Sequence, residues 1–251
     1  MPPYALPGEI WTSGLVFLRV AAIVMLLPGL SDATVPPRVR LSFALLLSLC
    51  IIPLAASTLP PLPPTMGAAV GIAIKELIIG LMIGALLRIL LASLAVAGEV
   101  TALQTTLGFA QTANPSQAQP SVALSAFLTV MGVTLVFASG LHRSFLTAIA
   151  NSYVLFAPTK TVLIQDAGQL AIRTVSQAFA LGVQLAAPVI VFSLVFNIAT
   201  GLVGRVMPQF QVFFVAAPLN ILLGLSIFAL SLGVLGLVWL NRYQAFVGLF
   251  T

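Results

Sequence analysis

Between Thr174 and Asn241 the chain carries one charged side chain, Arg205, beside the least apolar patch of the stretch, Met207-Pro208-Gln209-Phe210-Gln211. The pattern predicts a helical hairpin with a polar tip, each arm roughly 30 residues and so about 45 Å long at the rise of an α-helix. Arms of that length can each cross the hydrocarbon core of a bilayer, about 30 Å thick. Only lipid or other apolar protein covers such surface, so this feature alone places the chain in or against a membrane.

Composition points the same way. The 251 residues are 60% hydrophobic and 6% charged, against about 25% charged in an ordinary soluble domain. The expected fold class is an all-α membrane protein. The ten Lys and Arg residues give a formal net charge of +5 but stand singly, so no basic cluster marks nucleic acid as a partner. Cys50 lies alone in the apolar run from Leu45 to Ile52 and reads as a buried, inert thiol. One Cys and one His cannot build a structural zinc site. Glu9 is the only charge ahead of the first apolar run and Arg19 falls inside it, unlike the basic start of a secretory signal, so the N-terminus is expected to be retained.

Apolar windows fall at about 10–30, 39–56, 66–97, 121–141, 175–204 and 212–240, each within the length rule for spanning helices. The second is expected to end at Pro53, before the stiff connector Leu59-Pro60-Pro61-Leu62-Pro63-Pro64. In the third, Gly80 and Gly84 are four apart, the spacing that lets another backbone approach a helix face. With the N-terminus outside, Arg38, Arg40 and Arg205 would lie inside and Arg143, Lys160, Arg173 and Arg242 outside, so the positive-inside rule returns no orientation. Arg19, Lys75, Glu76, Arg88 and Glu99 sit in or beside windows. Charges there are expensive unless paired or facing a polar cavity, so several helices are expected to touch protein. Pro188, Asn197 and Pro218 predict kinks or unwound turns in the hairpin arms.

From Gly98 to Pro120 the chain is polar and, after Glu99, uncharged. Such a loop suits either an exposed connector or the plug or lining of a wide channel, and its length of about twenty residues is unusual for a connector. Nothing reads as a catalytic constellation: His142 has no carboxylate or Cys near it in sequence, and no phosphate-cradling loop or serine nucleophile motif is present. The chain is therefore not expected to be an enzyme or to hold a cofactor or metal. Six apolar windows alone would also suit a multi-helix small-molecule transporter or ion channel subunit, though no internal repeat of the transporter kind is evident.

An ordered set of residues resembles the FliR family of the flagellar type III export gate, with its SctT-like injectisome relatives. The set opens with Arg19, Pro28, Val35-Pro36, Arg38 and Pro53, then Lys75-Glu76 with Gly80 and Gly84. Gly98, Gln104, Phe109-Ala110 and Asn114-Pro115 follow, then Gly140, His142, Ser152 and Pro158. Ala187-Pro188, Asn197, Gly201, Gly204-Arg205, Pro208-Gln209, Val212-Phe213 and Pro218 complete it. The family pattern would place Gly at Thr106 and Asp at Asn114, so a steric rather than a carboxylate role is implied for that loop.

The resemblance implies a structural subunit of a hetero-oligomeric channel in the bacterial inner membrane, at the flagellar basal body. FliP-like and FliQ-like subunits, and a FlhB-like switch protein, would be its partners, with membrane lipid around it and unfolded polypeptide as cargo. Residues 1–174 would resemble a FliP-type subunit, with the polar loop at 98–120, and residues 175–251 a FliQ-type hairpin. A channel plug is expected at Gln104, Thr106, Leu107, Gly108, Phe109, Ala110, Gln111, Thr112, Asn114 and Pro115. Subunit contacts are expected at Lys75, Glu76, Arg88, Arg205, Pro208, Gln209 and Phe213.

Overall fold

A computed structural model describes residues 7–31, 35–107, 120–158, 164–207, 209 and 211–250. Among them there is no strand, and seven α-helices follow in order: α1 (Pro7–Leu26), α2 (Pro37–Ala55), α3 (Met66–Gln104), α4 (Pro120–Ala138), α5 (Leu141–Leu155), α6 (Ile164–Val206) and α7 (Val212–Val247). Five stretches are long and apolar enough to cross a membrane, in α1, α2, α3, α6 and α7, and a sixth arises if the sharply bent pair α4 and α5 counts as one span. The break in that pair is local chemistry: Gly140 sits at φ 78°, the left-handed region that glycine enters without steric cost.

Long helices are what such a sequence must form. In lipid the backbone has no water to bond to, so an unwound turn costs several unsatisfied groups whereas a proline inside a helix forfeits about one hydrogen bond. Pro188 and Pro218 accordingly lie within the continuous helices α6 and α7, so neither helix is unwound there, where a kink or an unwound turn was expected. Pro53 likewise does not end α2, which runs on to Ala55 and into a 3₁₀ turn at Ala56–Thr58. The proline connector after it is non-helical, and the Trp11 indole donates to the Pro60 carbonyl at 3.2 Å.

The chain divides into two compact units. The first comprises Met1–Leu90, Phe137–Val175 and Gln244–Thr251. Its core is the crossing of α1 with the first part of α3, and the two glycines allow it. A Cβ on Gly80 would sit 2.5 Å from the Arg19 carbonyl oxygen, and one on Gly84 would sit 2.8 Å from Leu26 Cβ. The expectation that this face admits another backbone holds. Cys50, by contrast, is exposed. Leu45, Leu46 and Leu49 beside it are exposed as well, while Ile51 is buried, because in a spanning helix apolar side chains need not all seek the protein interior.

The second unit comprises Leu91–Val136 and Ser176–Tyr243. Trp239 is fully enclosed, donates its indole N–H to Ser93 Oγ at 3.2 Å and stacks on Tyr243 at 4.9 Å between centroids. The predicted hairpin is present as α6 and α7 joined by a short tip, with arms of 43 and 36 residues rather than thirty.

Candidate functional site

Two polar clusters interrupt the apolar packing, one in each unit. In the first unit Arg19, on α1, is fully buried, as is Glu76 on α3. A charged pair withdrawn from water is tolerated only when every donor and acceptor is met. Arg19 Nε donates to Glu76 Oε2 at 2.6 Å and Nη2 to Oε1 at 3.0 Å. The remaining donors go to the end of α5, Nη1 to the Ser152 carbonyl at 2.8 Å and the Ser152 hydroxyl at 3.4 Å, and Nη2 to the Phe156 carbonyl at 3.0 Å. The guanidinium also lies 4.2 Å from the centre of the Tyr153 ring, a cation–π contact of the kind favoured in dry surroundings. Nearby, Lys75 Nζ donates to the Pro158 carbonyl at 2.6 Å. The arrangement ties α1, α3 and the end of α5 together, and Arg19–Glu76 is the only ion pair among the described residues.

In the second unit the polar cluster gathers around the end of α3. The helix does not stop at Gly98, where the polar loop was expected to begin, but continues to Gln104 with Thr101 and Ala102 buried. Val100, Ala102 and Leu103 sustain a helical segment through otherwise polar sequence. Gln104 then anchors the helix end: its Oε1 accepts from Ser193 Oγ on α6 at 2.9 Å, and its carbonyl accepts from Asn220 Nδ2 on α7 at 3.4 Å. Asn197 Nδ2 extends the network to Ser193 Oγ at 3.3 Å. Thr106 follows in the left-handed region at φ 58°. A β-branched residue is strained there, and glycine is the usual occupant of such a helix end.

Beside this network α6 and α7 flank an open cleft of about 220 Å³. Thr106, Asn197, Thr200 and Asn220 supply its polar lining, and Phe196, Gly201, Val212, Ala216 and Ala217 the rest. Asn220 is 1% exposed and its Oδ1 accepts no hydrogen bond.

Of the expected plug, Gln104 and Thr106 are placed as above, Leu107 follows in a turn and is half-buried, and Gly108, Phe109, Ala110, Gln111, Thr112, Asn114 and Pro115 lie outside the described residues. Of the expected subunit contacts, Glu76 and Lys75 engage their own chain, while Arg88 on α3, Arg205 in the last turn of α6 and Gln209 at the tip are exposed. Pro208 lies outside the described residues, and Phe213 falls in the first turn of α7. His142 lies in the first turn of α5, stacked on Phe137 at 5.6 Å, with Nδ1 buried and unpartnered.

Sequence reasoning did not single out Ser193 or Asn220. The available signal was an amide or hydroxyl within an otherwise apolar run, where each such group must find a partner.

A family model described as bacterial export proteins, family 1, matches residues 10–246. The chain is 52% identical over 251 residues to the flagellar biosynthetic protein FliR of Caulobacter vibrioides, covering 100% of both chains. It is 31% identical over 245 residues to the protein of that name in Aquifex aeolicus, covering 94% of this chain and 91% of the relative. With the one in Escherichia coli K12 it shares 28% identity over 213 residues, 84% and 80% of the two.

Proposed function

The chain belongs to the FliR family of bacterial export proteins, and from that membership we propose that it is a structural subunit of the flagellar type III protein export gate. The gate's task is to pass unfolded flagellar proteins across the inner membrane. The observation that carries this reading is the full-length correspondence at 52% identity with a flagellar biosynthetic protein, because an unbroken match leaves no part of the chain to a different task.

The reading includes partners: FliP-like and FliQ-like membrane subunits and a FlhB-like switch protein, with residues 1–174 and 175–251 in FliP-type and FliQ-type roles. Exposed apolar faces support it. Leu194, Val195, Ile198 and Leu202 on α6 stand outside the protein's own packing, a surface that lipid or neighbouring helices must cover. The exposed Arg88, Arg205 and Gln209 are the side chains best placed to meet a neighbour. For the plug, support comes from the uncharged composition after Glu99 and from the anchored helix end at Gln104.

The decisive experiment is genetic replacement. A bacterium lacking its own copy of this protein should lose export of flagellar filament and hook proteins and become non-motile, and a plasmid copy should restore both. Export that persists undiminished in the deletion strain would sink the proposal.

A further inference from the structure

Between α2 and α3 the chain runs Leu59-Pro60-Pro61-Leu62-Pro63-Pro64, and covalent geometry dictates its conformation. Each proline fixes its own φ, and a residue followed by proline is pushed out of the helical region. Leu59 is accordingly extended, at φ −86° and ψ 144°, and no described peptide bond is cis. The run is a polyproline II rod, in which every third residue falls on the same edge. Exposure follows that period. Pro60 and Pro63 are half-buried on the inner edge, where the Trp11 indole donates to the Pro60 carbonyl at 3.2 Å. Pro61 and Pro64 form a fully exposed edge, and on the third edge Leu59 is half-buried while Leu62 is 48% exposed.

We propose that this rod is a docking segment for a protein whose surface groove is lined by aromatic side chains. Pro61, Pro64 and Leu62 seat against the rings, and indole or phenol groups of the groove donate to the rod's remaining carbonyls. Four of the six residues are prolines with no N–H, so what binds the rod must bring donors. Trp11 already makes this contact once, on the inner edge. A spacer needs stiffness alone, and polar residues are the usual occupants of a turn at a membrane face. Here both flanking stretches are long and apolar enough to cross a membrane, yet the outward edges of the rod are apolar and are continued by Met66 at 82% exposure. An acyl chain would cover those edges and supply no donor. An aromatic groove supplies both, and a rod that is ordered before it binds loses little conformational entropy on docking.

The test puts the photoreactive residue p-benzoylphenylalanine in place of Met66, in the full-length chain, in cells that build the whole export apparatus. Irradiation should join the chain to another protein at a surface of tryptophan and tyrosine side chains. Leu62→Ser keeps every proline, and so the stiffness of the rod, and should lower the adduct yield per chain by about tenfold or more. Pro61→Ala combined with Pro64→Ala should do the same. In detergent extracts a synthetic peptide of residues 58–65, at concentrations on the order of millimolar, should compete for the adduct. The same peptide with alanine for each proline should not. Adducts to lipid alone, or none to protein, would overturn the proposal. So would an undiminished yield with Leu62→Ser, the result expected of a plain spacer, and so would equal competition by the two peptides.

Discussion

Arg19 and Glu76, 57 positions apart in the chain, meet through two hydrogen bonds at 2.6 and 3.0 Å with neither side chain exposed. Breaking one half of such a pair strands the other as an uncompensated charge, a loss of about 3–5 kcal/mol. Arg19→Ala and Glu76→Ala should each lower the melting temperature of the purified complex and the abundance of the chain in membranes. The double change Arg19→Met with Glu76→Leu should recover part of the loss, because no charge remains unpaired. Recovery stays partial because the carbonyls of Ser152 and Phe156 lose their donors. A double variant no better than the singles would show that the pair's charges are not what makes its loss costly.

Two glycines on α3 should respond oppositely to a side chain. At Gly80 the obstacle is backbone, the Arg19 carbonyl, which cannot swing aside, so Gly80→Leu should destabilise by at least about 1–3 kcal/mol. At Gly71 a Cβ meets nothing within 4 Å, and Gly71→Ala should stabilise by about 0.5–1 kcal/mol through helix propensity alone. Thermal unfolding of the two variants side by side checks the sign of each.

Thr106→Gly should stabilise the chain. The present residue holds φ 58°, a conformation that costs a side-chain-bearing residue roughly 1–2 kcal/mol. Part of that gain is returned to the greater freedom of the unfolded glycine, leaving about 1 kcal/mol. A lower melting temperature for this variant would mean that Thr106 contributes more through the cleft wall than it loses through strain.

Arg205 is the sole charge of the stretch from Thr174 to Asn241 and is exposed in the last turn of α6. If it meets a carboxylate or helix carbonyls on a neighbour, Arg205→Ala should reduce copurified subunits while the amount of membrane-inserted chain stays constant. If the guanidinium instead reaches lipid phosphates, insertion should fall and the subunit ratio hold. Blue-native gels with quantitative blotting of the membrane fraction separate the two outcomes.

How much of this was readable in the sequence depended on range. Gly80 and Gly84 announced a close helix crossing because spacing within one helix is enough to define its face. The polar tip between two long apolar arms was equally local. The partner of Glu76 was not readable, since the choice of Arg19 is made by tertiary packing and by carbonyls at the end of α5. Pro53 misled for a related reason: proline carries a strong breaking signal in water, and the signal weakens where the alternative to a helix is an unpaired backbone in hydrocarbon, so α2 runs past it. Of the candidate site, Gln104, Thr106 and Asn197 stood out singly and their convergence did not. The polar composition after Gly98 hid a helix that runs on to Gln104, and the convergence of Gln104, Ser193 and Asn220 joins three helices and appears in no local window.

The exposure of Cys50 gives the protein a built-in spectroscopic probe. It is the one thiol in the sequence and it stands on the outer surface of α2, so a polarity-sensitive dye attaches there with no engineered residue and no second site to confuse the signal. Its emission colour would follow the surroundings of α2 from detergent to bilayer to neighbouring subunits, turning the stages of assembly into a continuous optical readout.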